Sequence, residues 1–125
     1  SAVTEVFIEE SLHTNLKKEF PLNEAGFVIG FTGKKFEFSP TDSFKNLGIA
    51  RSDSIFTKDA YVLIGTWSRE LSPNAVILHE IGHIFGAKHT ESSSVMYNET
   101  SKKFHPSKFD KKNKKIIQNK LMGYI

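Results

Sequence analysis

No cysteine occurs in the chain, which excludes both a disulfide framework and any thiolate metal site. No stretch approaches the roughly 18 uninterrupted apolar residues that a membrane span needs. No signal peptide is visible, and the opening Ser1 in place of Met is read as the start of a processed product. Acidic residues are scarce towards one end. Residues 1–100 hold 9 basic and 13 acidic side chains, a balance of −4. Residues 101–125 hold 8 Lys against the single acid Asp110, a balance of +7, and the two segments together give the formal charge of +3. A basic tail of this kind can meet nucleic acid, an acidic membrane or an acidic partner, or can be a solvated helix face. Nucleic acid is not expected as a partner, because residues 102–120 lack aromatic interleaving and any recognised motif.

What is present suits one domain spanning 1–125. Apolar residues make up 38% of the 125, and 11 are Phe, enough for a core without staples. Ile8, Leu12, Leu16 and Phe20 recur every four residues, a helical stripe closed by Pro21. Phe27–Phe31 and Lys35–Phe38 read as two strands around a tight turn. A short strand is expected around Gly48–Arg51, and Ala60–Trp67 is the clearest strand. Ser72 and Pro73 mark a helix start, as N-cap and first helical position. That helix is expected over about 73–85, and a last one over about 109–122 with Ser107 or Asp110 near its cap.

The chemistry lies in His79-Glu80-Ile81-Gly82-His83-Ile84-Phe85-Gly86-Ala87-Lys88-His89. On a helix, residues four apart are about 40° around and about 6 Å along from one another, so His79 and His83 can point at one ion. Zinc–nitrogen distances of about 2.0–2.1 Å are then within reach. Glu80 lies beside such a metal rather than on it, placed to take a proton from the attacking water. If the helix continued, His89 would sit about 15 Å along the axis from His79 and could not share the ion. The chain must turn sharply, and Gly86 is the residue able to turn it. Three neutral imidazoles leave one position for water, the mark of a catalytic rather than a closed site.

The extended pattern resembles the metzincin clan of zinc peptidases, whose signature adds a Met-containing turn after the third His. Ser94-Val95-Met96-Tyr97 looks like that turn, and the resemblance makes Met96 an apolar floor beneath the imidazoles rather than a ligand. Thr90 after the third His, and Tyr97 directly after Met96, resemble the matrixin-like branch. Astacin-like and serralysin-like members place a metal-contacting Tyr two residues after the Met, where this chain has Asn98, so Tyr97 is not expected to bind zinc. The implied fold is a small α+β catalytic domain: a mixed twisted sheet with an N-terminal helix, an active-site helix and a C-terminal helix. The implied function is zinc-dependent endopeptidase, with one catalytic Zn2+ on His79, His83 and His89 and Glu80 as general base. With His13 and His105 to spare and 4 Asp in all, no structural zinc is expected.

The resemblance also implies that Ala60, Tyr61, Val62, Leu63 and Ile64 form the rim strand on which an extended peptide or protein substrate is added. The wall of the adjoining pocket would come from residues 98–106. A monomer is expected, and family resemblance favours a secreted or extracellular setting. The alternative is a non-catalytic zinc-binding module whose basic C-terminal tail contacts an anionic partner. Intact Glu80 speaks against it, since a structural site has no use for a base.

Overall fold

The computed structural model describes residues 16–19, 26–33, 48–66, 73–97 and 104–124. Residues 16–19 are helical and form the described part of α1. The remainder of the N-terminal helical stripe, the second strand of the expected hairpin and Ser72 lie outside the described residues. Three strands follow, β1 (Val28–Thr32), β2 (Gly48–Ala50) and β3 (Tyr61–Gly65), and then helices α2 (Pro73–Ile84) and α3 (Lys111–Tyr124). The architecture is α+β, as expected from the sequence.

The sheet order is β1-β3-β2. β1 runs parallel to β3, with Val28 opposite Tyr61 and Thr32 opposite Gly65. β2 runs antiparallel to β3, with Gly48 opposite Ile64. This overturns one expectation. Ala60–Ile64 is not a rim, because β3 is paired with β1 along its whole length and with β2 over Val62–Ile64, and Ala60 accepts a bond from the amide of Val28. The unbroken apolar run Tyr61-Val62-Leu63-Ile64 is what a doubly covered central strand requires, and all four residues are buried. Among the described residues, β2 is the edge on that side.

Helix α2 lies between two apolar clusters. On the sheet side, Ile55, Val62, Ile64, Val76 and Ile84 form a buried group, joined by Phe27, Ile29 and Ile77. On the other side, Ala87, Val95 and Met96 are buried against Leu78, Phe104, Phe109 and Ile117. Pro73 opens α2, where its missing N–H is no loss and its fixed φ is already helical. The end of α2 is a Schellman motif: the amide of Ala87 bonds the Gly82 carbonyl at 2.9 Å and that of Gly86 the His83 carbonyl at 2.9 Å. Gly86 adopts φ +96°, which a side chain would oppose. The loop after β2 completes the cap, with the amides of Asp53 and Ile55 reaching the His83 and Ile84 carbonyls at 2.8 and 2.9 Å. Helix α3 begins later than expected because Asp110 is its N-cap, accepting a bond from the amide of Asn113 at 3.2 Å.

Candidate metal centre

The turn at Gly86 returns the chain, and the three imidazoles converge. Nε2 of His83 lies 3.2 Å from Nε2 of His79 and 3.1 Å from Nε2 of His89. Ring centroids are 4.8 to 5.3 Å apart across the three pairs. His79 is wholly buried, His83 is half-buried and His89 is exposed, so the cluster opens to solvent on the side of its last member.

The bonds behind the rings fix which nitrogens face one another. Nδ1 of His79 donates to the Val95 carbonyl at 2.6 Å, and Nδ1 of His83 donates to the Ala87 carbonyl at 3.0 Å. A carbonyl can only accept, so each Nδ1 carries the hydrogen, and in the neutral ring Nε2 is the nitrogen without one. Burial pushes His79 down to about 3 and His83 down to about 4, with the neighbouring imidazoles lowering both further and the carbonyl bonds partly opposing the shift. Both rings are therefore neutral at neutral pH. Two lone pairs 3.2 Å apart repel unless a cation lies between them. A tetrahedral zinc with nitrogens at about 2.0–2.1 Å separates its ligand atoms by about 3.3 Å, so the spacing fits that ion. The backbone carbonyls behind the rings are the kind of partner that orients metal-ligating imidazoles.

Glu80, next to His79, is buried. It packs against the backbone of β2, where a Cβ added to Gly48 would stand 2.8 Å from the Glu80 Cγ and 3.2 Å from its Oε1. Met96 is fully buried on the other side of α2. Its Sδ fills the space that a Cβ on Gly82 would enter, at 2.6 Å. Because Gly82 stands between His79 and His83, Met96 supports the helical turn that carries both. Ser94–Tyr97 forms a turn closed by the Tyr97 amide on the Ser94 carbonyl at 3.2 Å, and the Thr90 amide reaches the Met96 carbonyl at 3.2 Å. Most of the segment 98–106, read as a pocket wall, lies outside the described residues.

A polar network that residue spacing does not reveal ties this cluster to α3. Asn113, only 2% exposed, accepts a bond from the amide of Lys88 at 2.9 Å and donates to the Lys88 carbonyl at 2.8 Å. It thus holds the strap between the second and third imidazoles at the residue just before His89. Asp110 accepts from Asn113 Nδ2 at 2.8 Å and from the Ser94 hydroxyl at 2.7 Å, while the Met96 amide donates to that hydroxyl oxygen at 3.0 Å. Burial acts to raise the pKa of Asp110, but the bonds from Ser94 and Asn113 together outweigh it and hold the carboxyl below its ordinary value. A lone Asn amid Lys residues, such as Lys111-Lys112-Asn113-Lys114-Lys115, was the available signal. A polar residue on the inner face of a basic helix needs a partner.

The family model described as Matrixin matches residues 10–120 of the chain. No curated protein matches it.

Proposed function

The chain belongs to the matrixin family of the metzincin clan, and from that premise we propose that it is a zinc-dependent endopeptidase. The observation that carries this reading is the convergence of three imidazole nitrogens, two of them shown by their hydrogen bonds to be bare lone pairs. His79, His83 and His89 hold one zinc, with His89 placed on the solvent side. Bound there, zinc polarises the scissile carbonyl and lowers the pKa of a water towards about 7. Glu80 takes the proton of the attacking water and passes it to the departing amine, acting first as base and then as acid. Its burial against Gly48 limits the swing of its carboxylate.

The substrate is an extended peptide. β2, beside Glu80 and the edge strand among the described residues, is placed to receive it as a further strand, and such pairing gives affinity without demanding a particular sequence. Met96 fills the role of the Met-turn residue, an apolar floor that fixes the turn bearing the first two ligands.

Glu80→Gln tests the assignment. The variant keeps its zinc, because no ligand is lost, while casein hydrolysis falls by about 100- to 10,000-fold. Zinc per chain and proteolysis with and without chelator are measured side by side. Wild-type turnover by the variant would remove Glu80 from the mechanism. A wild-type protein that holds zinc yet cuts no peptide would overturn the enzyme reading in favour of a binding module.

A further inference from the structure

Helix α3 bears Lys111, Lys112, Lys114 and Lys115 in its first five residues and no acidic residue along its length. All four are exposed, and none has an acidic partner among the described residues. This placement works against the helix. Lysines in the first turn meet the positive end of the macrodipole. The pairs 111/114, 111/115 and 112/115 stand three or four residues apart and bring like charges together. The adjacent acid, Asp110, is engaged by Ser94 and Asn113. A counter-charge from outside the chain would relieve the strain.

The far end of the same face is apolar. At 100° per residue, Met122 lies in line with Lys111 and Lys115, and Leu121 in line with Lys114. Leu121 is 44% and Met122 74% exposed, on a helix whose inner side buries Asn113 and pairs Lys120 with Asp53 at 2.6 Å. We propose that the outer face of α3 docks on an anionic lipid bilayer, the four lysines among the headgroups and Leu121 and Met122 in the interface. A cluster of lysines joined to exposed apolar side chains on one helical face matches that surface. Nucleic acid fits less well, because the face offers neither an aromatic ring for base stacking nor an arginine. The inner face of α3 touches the strap at Lys88 and Gly86. A bilayer on the outer face therefore lies across α3 from the imidazoles.

The test is co-sedimentation of the whole chain with vesicles of pure phosphatidylcholine and of phosphatidylcholine mixed equally with phosphatidylserine. Binding is expected to the mixed vesicles alone and to fall with added salt. Each lysine near the surface is worth about a five-fold factor. Lys111→Gln, Lys112→Gln, Lys114→Gln and Lys115→Gln together should lower binding at least about 100-fold. The melting temperature of that variant should stay the same or rise, because the like-charge crowding is gone. Leu121→Ser with Met122→Ser should weaken vesicle binding and leave binding to single-stranded DNA unchanged. Failure to bind the mixed vesicles, or binding indifferent to the lysine changes, overturns the proposal. So does equal loss of DNA and vesicle binding in the Leu121→Ser, Met122→Ser variant, or tighter binding to DNA than to lipid, which would mark the face as a nucleic-acid surface.

Discussion

Gly82→Ala probes the contact on which the geometry of the first two imidazoles rests. The added methyl would meet the Met96 Sδ at 2.6 Å and the Phe109 Cε1 at 2.9 Å, both inside the distance real Cβ atoms keep. Met96 is fully buried and has little room to withdraw. Overpacking of this kind costs about 1–3 kcal/mol. Against it stands the helix preference of Ala over Gly, about 1 kcal/mol at an interior position. Set against each other, the two leave a net loss of up to about 2 kcal/mol. Met96→Ala alone should cost about 2–5 kcal/mol through lost burial and the cavity left behind. In the double variant the new methyl enters the space vacated by Sδ, so the clash with it falls away, and the coupling amounts to about 1–3 kcal/mol. Urea unfolding of the metal-free protein measures all four species without the contribution of metal binding. Additivity within about 0.5 kcal/mol would refute the reasoning, because residues in contact do not behave independently.

The metal-free protein should lose stability as pH falls. His79 and His83 remain neutral in the fold down to about 3 and about 4, whereas in the unfolded chain they charge below 6.5. The unfolded state therefore binds more protons, and stability drops from pH 6.5 downwards, levelling once the folded rings charge. Between about pH 7 and about pH 5 the loss is about 2 kcal/mol per ring, read from urea midpoints, and a flat profile would contradict it. Asn113→Ala frees the Lys88 backbone and should weaken zinc binding about 10- to 100-fold in a chelator competition, beside about 1–3 kcal/mol of stability. Unchanged zinc affinity would show that the strap holds itself. Gly86→Ala forces a side chain to φ +96° and sets its Cβ 3.2 Å from Asp53 Oδ1. It should cost about 1–2 kcal/mol in thermal or urea unfolding, and a neutral result would mean that the turn relaxes.

The convergence of the three imidazoles was legible in the sequence because residue spacing is local geometry. Four residues span one helical turn, and a glycine three residues beyond His83 is enough to require a reversal before His89. The start of α2 at Pro73 followed in the same way, whereas the burial of Met96 was expected only from the family resemblance. Sheet order did not. Whether Tyr61–Gly65 is centre or edge depends on which distant strands pair with it, and β1 and β2 lie on either side of it. Its continuous apolar run is the mark of a central strand, whereas the family resemblance implies a rim. Tertiary structure decided which nitrogen of His79 faces the cluster, since the Val95 carbonyl that holds its Nδ1 lies 16 residues away, whereas the Ala87 carbonyl that holds His83 belongs to the cap of the same helix. It alone also joined Asn113 to Lys88, 25 residues away. Residue spacing sets what a short segment can do, and the hydrogen bonds between distant segments set the state in which it does it.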